Sequence, residues 1–527
     1  MQKESMSRIR QKTKKVKQSG GRVLFRLIFG RTMITVLLLL LQILCLIGIF
    51  RMVGLSENLL TISNLLGMAA IIYIINSEEN PAFKLAWVLP ICLVPVFGIG
   101  FYLFIILNPG NRGLQKLLNR RKDETKPYLR TEYRVVEKLK KESSGIRNLG
   151  HYIQNQNGFP TCDHTNVTFF ATGEEKYADL LKELERAEQF IFLEYFIINQ
   201  GEVWDHVLEI LERKAKAGVE VRVMYDGMCA LVSLPYRYPQ QLRERGIKAK
   251  MFSPIKPLLS THQNNRDHRK IAVIDGRVAY NGGINLADEY MNIKKRFGHW
   301  KDTAVKLEGE AVRSFTVMFL QMWYMTEAGE GEYEKYLPHL EAPSAPGYVI
   351  PYNDDPINRL DIAESVYLDM LYKAKKYVHI MTPYLIIDNE LITALTYAAR
   401  RGVDVKLILP HIPDKKIIFA IARTYYPQLL EAGVKIYEYT PGFVHAKEFV
   451  SDDKKAVVGS INLDFRSLYE HFECATFIYK NPVILDIEKD YQETLKKCQK
   501  IDMQFCVDLP LWYRIGGHIF RLFGPLV

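Results

Sequence analysis

Apolar residues form long runs near the N-terminus and short, evenly spaced runs in the rest of the chain. The long runs are residues 33–50, 59–75 and 85–107, the last of which contains Pro90 and Pro95. A membrane-spanning helix needs about 20 apolar residues, so the first and third runs qualify and the second is borderline. Arg51 follows the first run with no small-residue cleavage site, which predicts an anchor and not a removed signal peptide.

Beyond these runs, helix and strand patterns occur twice in the same order. The first set has helices at 176–187 and 204–216 and strands at 189–198 and 219–225. The second set has a strand within 374–387, a helix at 391–401 and a strand at 403–409. Alternating strands and helices predict an α/β fold with mostly parallel sheets and helical cover. We therefore expect two α/β repeats that share one site at their interface.

These patterns divide the chain into six segments. We predict a basic cytoplasmic tail at 1–32, a transmembrane region at 33–108, a charged helical linker at 109–155, a first repeat at 156–342, a second at 343–505 and an apolar tail at 506–527. The last segment has an amphipathic composition, so it either lies on a bilayer or packs onto the second repeat.

Charge favours an anionic partner for this chain. The formal net charge is +11, and residues 1–32 hold ten lysines and arginines against the single acid Glu4. Such a balance fits anionic lipid or nucleic acid, and the apolar runs favour lipid. Residues 111–141 are also basic, so both flanks of the membrane region favour the cytoplasm and an even number of spans. Three runs conflict with this unless one is re-entrant or interfacial, or one flank crosses despite its charge.

One short pattern occurs in each repeat with matched spacing. In the first repeat it is His268, Lys270, Asp275, Gly282 and Asn285. The second repeat has His445, Lys447, Asp452, Gly459 and Asn462 in that order, with seven residues from Asp to Gly and three from Gly to Asn in both copies. One H-x-K is uninformative, but two copies with equal spacers indicate a duplicated functional site.

The chemistry of the pattern suits a phosphate group. Residues 268–274 are predicted to be a strand, on which His268 and Lys270 share a face. An ammonium group beside the imidazole disfavours a metal, whereas lysine can bind a phosphate and histidine can attack phosphorus or carry a proton. Two histidines allow one to be the nucleophile and the other the acid and base. Asp275 and Asp452 lie in turns off the His/Lys face, which favours a turn-making role.

The pattern resembles the HKD motif of the phospholipase D superfamily, and its surroundings resemble bacterial cardiolipin synthases. The segments that carry this resemblance are 265–270, 282–290, 299–303, 443–447, 466–468 and 471–473, together with the apolar region around 80–98. The resemblance covers about residues 60–527. In the region around 80–98 it favours the second and third runs as a membrane hairpin.

The resemblance implies two-step phosphatidyl transfer through a phosphohistidine. His268 would be the nucleophile and His445 the acid and base, although the two could be exchanged. It places Lys270, Lys447, Asn285 and Asn462 on the phosphate, and Asp302 and Glu473 behind the histidines, where a carboxylate orients an imidazole. As members of the motif, Asp275 and Asp452 are included with His268, His445 and the lysines among the candidate catalytic residues.

We therefore expect a cardiolipin synthase that joins two phosphatidylglycerol molecules and releases glycerol. The alternatives are a phospholipase D or another phosphatidyltransferase and, less favoured, a nuclease or a non-catalytic scaffold. No P-loop, zinc signature or dinucleotide fingerprint occurs, so we predict no cofactor and no metal. The predicted partners are phosphatidylglycerol and anionic membrane lipid, without nucleic acid. The apolar runs predict a multi-pass protein of the cell membrane, and seven scattered cysteines favour reduced thiols and a catalytic part in the cytoplasm.

Overall fold

The fold was analysed in a computed structural model that describes residues 57–93, 95–106, 109–254, 265–327, 329–339, 343–357 and 361–526. The helices are α1 (Glu57–Ile75), α2 (Pro81–Leu93), α3 (Pro95–Ile106), α4 (Pro109–Thr125), α5 (Tyr133–Glu142), α6 (Ser144–Asn157), α7 (Gly173–Arg186), α8 (Glu202–Lys216), α9 (Gly227–Val232), α10 (Tyr238–Glu244), α11 (Val312–Tyr324), α12 (Ile362–Lys373), α13 (Asn389–Arg400), α14 (Lys416–Arg423), α15 (Tyr426–Glu431), α16 (Val483–Leu495), α17 (Met503–Asp508) and α18 (Leu511–Arg521). Short 3₁₀ helices lie at Lys126–Tyr128, Asp288–Met291, Glu334–Tyr336 and Gly524–Leu526, and a π-helical turn lies at Arg466–Glu470.

Two large mixed sheets form the body of the protein. The strands of the first repeat are β1 (Thr165–Phe170), β2 (Phe190–Tyr195), β3 (Glu220–Asp226), β4 (Lys248–Phe252), β5 (Arg266–Asp267), β6 (Lys270–Ile274), β7 (Val278–Gly282), β8 (His299–Lys301) and β9 (Ala304–Gly309). Those of the second are β10 (Tyr348–Asp354), β11 (Tyr377–Met381), β12 (Leu385–Ile386), β13 (Asp404–Pro410), β14 (Lys435–Tyr439), β15 (Gly442–Val444), β16 (Glu448–Ser451), β17 (Lys455–Gly459), β18 (Leu463–Asp464), β19 (His471–Tyr479) and β20 (Cys498–Ile501).

The strand orders show the internal repetition. The first sheet has the order β1-β9-β7-β6-β2-β3-β4, and the second has β10-β19-β17-β16-β11-β13-β14-β20. In each, the strand that follows the H-x-K pair forms an antiparallel hairpin with the next strand. The expected two-repeat α/β fold is confirmed, but the expectation of mostly parallel sheets is wrong. Along these two strand orders, β2-β3-β4 and β11-β13-β14 pair in parallel, and the other neighbours pair antiparallel. The antiparallel part includes the β6-β7 and β16-β17 hairpins, which the Asp-Gly and Asp-Asp turns make.

The two sheets face each other across a shared core. Val273 and Val305 of the first sheet belong to the same buried cluster as Val458 and Cys474 of the second. The outer faces are covered by helices, with Trp204 of α8 packed on the first sheet and Val366 of α12 packed on the second. This arrangement places corresponding parts of the two repeats at their shared interface.

The predicted helices and strands agree with the observed ones to within a few residues. Helices predicted at 204–216 and 391–401 correspond to α8 and α13, and the strand predicted at 403–409 corresponds to β13. The predicted strand 268–274 begins later, at Lys270, because the His268 backbone N–H donates to Phe472 O in the other repeat, at 2.9 Å. His268 therefore lies in the crossing between the repeats.

The segment predicted as a charged linker is helical, but it is packed into the body of the protein. It forms α4, α5 and α6, whose apolar positions are buried in the cores of both repeats. Leu118 joins the shared core, whereas Leu139 and Ile153 join the core of the second repeat. An amphipathic stripe beneath a charged surface explains both the composition and the packing.

The three N-terminal helices of the described region pack on one another. Among the described residues, none of the helices combines the length and apolarity that crossing a membrane requires. The run at 85–107 is not one helix but an antiparallel pair, α2 and α3. The rings of Trp87 and Tyr102 lie 5.8 Å apart. A methyl group on Gly98 would lie only 2.6 Å from Ile91 Cα. Pro95 begins the second helix, consistent with the preference of proline for a first helical turn. The run at 33–50 and the basic tail lie outside the described residues.

The α2–α3 pair is attached to the second repeat. Asn80, just before α2, donates to Asp388 Oδ2 and Tyr469 Oη, both at 3.0 Å. Phe83 packs edge-on against the rings of Phe465 and Tyr469, with centroids 5.6 and 5.7 Å apart. Burial and the neighbouring Asp388 raise the pKa of Glu364, which also accepts from Tyr469, to about 9. The N-terminal helices are thus connected to the π-helical turn that leads to His471.

Candidate active site

Two short strand pairs connect the repeats and place the two histidines. β5 pairs in parallel with the start of β19, which aligns Arg266 with His471 and Asp267 with Phe472. β8 pairs in parallel with β15, which aligns His299 with Gly442 and Lys301 with Val444. His268 and His445 each follow one of these strands directly. Their backbone N–H groups donate to Phe472 O and Lys301 O, so each histidine is fixed by the opposite repeat.

Each histidine is hydrogen-bonded to a carboxylate from the other repeat. His268 Nδ1 lies 2.8 Å from Glu473 Oε1, and His445 Nδ1 lies 2.7 Å from Asp302 Oδ2. All four side chains are almost fully buried. With Nδ1 engaged, Nε2 is the ring nitrogen left to react in each histidine. The site is therefore shared by the repeats, and neither repeat holds a complete pair alone.

The lysines lie beside the histidines. The Nζ groups of Lys270 and Lys447 donate to the backbone oxygens of His268 and His445, two residues earlier. Lys447 Nζ also lies 2.8 Å from His445 Nδ1. Burial lowers the pKa of Lys270 to about 8 and that of Lys447 to about 7. A bound anion would compensate two buried ammonium groups that otherwise face each other.

Burial also keeps both imidazoles neutral. It lowers the pKa of His268 well below the ordinary value, and the charge of Lys270 lowers it further. Burial and Lys447 lower the pKa of His445 to about 4, against the opposing charge of Asp302. Burial raises the pKa of Glu473 to about 8. A neutral imidazole is the form of histidine that can act as a nucleophile.

The two asparagines have different surroundings. Asn285 Oδ1 accepts from Ile197 N at 2.9 Å and its Nδ2 donates to Tyr290 Oη at 2.8 Å, so both ends of its amide are engaged. Asn462 Nδ2 donates to Asp464 at 3.1 Å, and its buried Oδ1 has no hydrogen-bond partner among the described residues. A phosphate-binding role for either amide remains a prediction.

Asp275 and Asp452 lie at the far ends of β6 and β16, away from the cluster. Each has a positive φ, of 54° and 56°, and each accepts from three consecutive backbone N–H groups of its own repeat. For Asp275 the donors are residues 188–190, and for Asp452 they are residues 375–377, all within 3.0 Å. We therefore assign both aspartates to the turns and remove them from the catalytic set.

Several residues of the site were not predicted from sequence. The ring of His445 is surrounded by Tyr290, Trp300 and Phe443, with centroids 5.4, 5.2 and 6.0 Å away. The ring of His268 lies 4.9 Å from that of Phe196 and 5.5 Å from that of His471. Ser460 Oγ donates to Glu473 Oε2. One sequence signal could have found Trp300 and His471. Each lies two residues before a carboxylate of the site, Asp302 and Glu473 respectively.

Among the residues that the structure describes, two groups of side chains have ligand atoms close enough together to hold a metal ion. His268, His471 and Glu473 form one, but Glu473 already binds His268, and the charge of Lys270 disfavours a divalent cation there. Glu364, Asp388 and Glu390 form the other. In that group Tyr469 donates to Glu364 Oε2, and both Tyr469 and Asn80 donate to Asp388 Oδ2. Neither group has the open, unopposed geometry of a metal centre.

Sequence comparisons match this chain to one family over most of its length. The family model described as "Cardiolipin synthase, PLD-like domain" matches residues 180–323 and 367–495. The model described as "Phospholipase_D-nuclease N-terminal" matches residues 65–105. The cardiolipin synthase of Geobacillus sp. WCH70 is 35% identical over 463 residues, 87% of this chain and 91% of that protein. The cardiolipin synthase of Alkalihalophilus pseudofirmus is 33% identical over 86% of this chain and 91% of its own length.

Two further relatives extend the comparison. An uncharacterized protein of Streptococcus mutans is 50% identical over 461 residues, 87% of this chain and all of that protein. The crystal structure of phosphatidylserine synthase from Haemophilus influenzae has the same fold, with a TM-score of 0.52 at 14% identity over 72% of this chain and all of its own. With two matched phospholipase D-like repeats and full-length relatives above 30% identity, the chain belongs to the family of cardiolipin synthases with phospholipase D-like domains.

Proposed function

We propose that this protein is a membrane-bound cardiolipin synthase that transfers a phosphatidyl group from one phosphatidylglycerol to another and releases glycerol. The observation that carries the proposal is the shared site, in which two buried His–carboxylate pairs are exchanged between repeats around two buried lysines. Two neutral imidazoles beside a cationic pocket suit a phosphodiester substrate. Family membership supplies the class of lipid.

In the first step, His268 Nε2 attacks the phosphorus of phosphatidylglycerol between Lys270 and Lys447. The bond from phosphorus to the glycerol oxygen breaks, and His445 gives that oxygen a proton. Burial and Lys447 hold the pKa of His445 low, but the negative charge of a bound phosphate opposes Lys447 and raises the pKa towards the range that a general acid needs. Asp302 stabilises the imidazolium form of His445, from which that proton comes.

In the second step, His445 takes a proton from the primary hydroxyl of a second phosphatidylglycerol. Its oxygen forms a bond to phosphorus, and the bond between phosphorus and His268 Nε2 breaks. The proton that His445 takes here replaces the one it gave to glycerol in the first step. His268 is again neutral and hydrogen-bonded to Glu473. Water in place of the second lipid would give phosphatidic acid, so exclusion of water decides between transferase and hydrolase.

The apolar surface of the described residues supports attachment to a bilayer. Helix α1 exposes Leu65, Leu66 and Ile72, which are 57–62% accessible. Helix α18 packs one face on α14, where a methyl group on Gly517 would lie 2.7 Å from Ala420 O. Its other face exposes Leu511, Trp512, Ile515, Ile519 and Phe520. The Gly524–Leu526 turn, which follows α18, contacts α2.

The α2–α3 pair offers one way to reconcile three apolar runs with an even number of membrane spans. Helices of 13 and 12 residues are each about 20 Å long or shorter, less than the hydrocarbon core of a bilayer. We propose that this pair is re-entrant, with both of its ends in the cytoplasm beside the catalytic repeats.

Labelling tests this topology. We would introduce Ser77→Cys or Gly113→Cys into the full chain with its own cysteines replaced, and label intact right-side-out cells with an impermeant reagent. Both positions should be protected in cells and both labelled in inverted vesicles. Labelling of one from each side would refute the re-entrant pair. A methyl group added at Gly113 meets no neighbour within 4 Å, so this substitution should not disturb the fold.

The function itself is tested by product analysis. Purified full-length protein would be incubated with phosphatidylglycerol vesicles and a chelator, and the lipids identified by mass spectrometry. We expect cardiolipin and free glycerol in equal amounts, and neither from a folded His268→Ala, His445→Ala double variant. Phosphatidic acid alone would make the protein a phospholipase D. No product from protein with a normal unfolding transition would refute phosphatidylglycerol as the donor.

A further inference from the structure

His471 is a third histidine of the site, to which the mechanism gives no role. It begins β19, two residues before Glu473, and is aligned with Arg266 of β5. The equivalent position of the other repeat is Trp300, two residues before Asp302 and aligned with Phe443 of β15. The interface therefore has an imidazole with a cationic neighbour on the His268 side, and an indole with a phenyl neighbour on the His445 side.

The nitrogens of His471 are available to a ligand. The side chain is 11% exposed, yet both ring nitrogens are buried and have no hydrogen-bond partner among the described residues. Its Nδ1 lies 4.0 Å from Glu473 Oε1, beyond hydrogen-bond distance. A buried polar atom without a partner destabilises the protein, because the atom has lost its hydrogen bonds to water. Such a cost is offset when the bound state supplies the partner.

The surroundings of His471 are cationic. After burial, the charges of Arg466, Lys270, Arg266 and Lys415 lower the pKa of His471, in that order. Arg266 donates to Ser253 O at 2.9 Å and is ion-paired with Asp226 at 3.5 Å, and the Lys415 Nζ lies over the ring of Tyr384 at 5.4 Å. Asp464, Glu470 and Glu473 are the nearby acids, and burial raises the pKa of each. The region therefore attracts an anion and offers a neutral imidazole to a hydroxyl group.

We propose that His471, with Arg466 and Lys415, forms the subsite that binds the headgroup of the acceptor lipid, a glycerol hydroxyl joined to a second phosphodiester. This inference rests on the proposed function, which requires two phosphate groups near one nucleophile. The donor phosphate lies between Lys270 and Lys447, so the acceptor phosphate needs its own cations. His471 is 5.5 Å from His268, ring to ring, which is close enough to orient a hydroxyl towards a phosphohistidine.

His471 is a positioning residue in this scheme. It accepts one hydrogen bond from the acceptor glycerol or donates one to it, while His445 takes the proton of the attacking hydroxyl. The phosphorus–nitrogen bond at His268 breaks as the new phosphorus–oxygen bond forms. Without His471, the phosphohistidine still forms, but water or a small neutral alcohol replaces the phospholipid acceptor.

The test measures how one intermediate is divided among acceptors. Wild type, His471→Phe and His471→Asn would be given phosphatidylglycerol vesicles containing ethanol, and cardiolipin, phosphatidic acid, phosphatidylethanol and glycerol would be measured. In His471→Phe we expect the ratio of cardiolipin to phosphatidylethanol to fall at least about tenfold, the equivalent of one lost hydrogen bond. Glycerol release should continue. His471→Asn keeps a hydrogen-bonding group and should restore part of the ratio.

Trp300→Phe is the matched control at the equivalent position of the other repeat. Whatever it does to the overall rate, it should leave the ratio of cardiolipin to phosphatidylethanol unchanged. An unchanged ratio in His471→Phe, or a parallel fall of all products there, would refute the subsite. A wild type that makes phosphatidylethanol but no cardiolipin would instead refute the proposed function, so the two failures are distinguishable.

Discussion

The two halves of the site contain the same pattern in different surroundings. His445 is enclosed by Tyr290, Trp300 and Phe443, whereas His268 faces Phe196, His471 and the strand that holds Arg266. The carboxylates differ as well, because Asp302 lies against Gly283 while Glu473 is bonded by Ser460. Duplication thus supplied equal chemistry, and the later differences divide the roles. In the proposed mechanism, the aromatic half protects a proton carrier from water, and the polar half accommodates charged lipid headgroups.

The largest expected effect comes from removing either histidine. His268→Ala and His445→Ala should each reduce cardiolipin formation by at least about 10³-fold, because one loses the nucleophile and the other the acid and base. With phosphatidylglycerol labelled in its acyl chains, His445→Ala should slowly accumulate label on the protein and His268→Ala should not. The reverse pattern would exchange the roles. Substantial activity in either single variant would refute the shared site.

The carboxylates should follow, with losses between about 10²- and 10⁴-fold for Asp302→Asn and Glu473→Gln. Each amide keeps the shape but no longer stabilises an imidazolium. Because Asp302 supports the proton carrier, its variant should lose more of kcat than the Glu473 variant. Steady-state kinetics in mixed micelles checks the order. Equal losses would indicate that the two halves exchange roles during turnover.

The two lysines predict how kcat/KM depends on pH. Burial lowers the pKa of Lys447 to about 7 and that of Lys270 to about 8. A lysine is charged below its pKa, so the cations that attract the substrate phosphate are present at low pH and lost as the pH rises. We expect kcat/KM to fall between about pH 7 and 8. In Lys447→Arg, which stays charged, the remaining fall should lie near pH 8. A flat profile up to pH 9 in the wild type would contradict the assignment.

A smaller effect separates the two carboxylate environments. A methyl group at Gly283 would lie 2.1 Å from Asp302 Oδ1, whereas the equivalent Ser460 donates a hydrogen bond to Glu473. Gly283→Ser should therefore displace Asp302 and lower turnover by about tenfold or more, the equivalent of 1–3 kcal/mol of overpacking. Ser460→Gly removes one hydrogen bond and should lower turnover less. The opposite order would show that the Glu473 half limits the rate.

The smallest expected effect on turnover comes from the turn aspartates. Asp275→Asn and Asp452→Asn should leave kcat nearly unchanged, because neither carboxylate contacts the two histidines or two lysines of the H-x-K pairs. Each should lower stability by about 1–3 kcal/mol, because three backbone N–H groups lose a charged acceptor. Thermal unfolding and activity at a temperature well below the transition would be measured together. A loss of activity without a loss of stability would return these residues to the catalytic set.

The sequence by itself determined the two-repeat α/β fold, the positions of most elements and the two H-x-K pairs. These are local properties, because apolar periodicity sets helices and strands, and equal spacing identifies a duplicated motif. Through resemblance and not through spacing, the sequence also pointed to Asp302 and Glu473 as carboxylates behind the histidines, and the structure shows them hydrogen-bonded to His445 and His268. Its turn reading of Asp275 and Asp452 followed from their position after an apolar strand.

Only the tertiary structure decided how the repeats exchange their carboxylates, and that the 109–155 helices belong to the core. These features depend on which surfaces meet across long separations in sequence, which periodicity does not contain. The sheets proved mixed for the same reason, since the direction of pairing is set by neighbours in space. The fold-back of α2 on α3, and the placement of His471 beside His268 with its nitrogens unpartnered, also required the packed molecule. Local patterns specify the helices and strands, and burial against residues that are distant in sequence specifies the site.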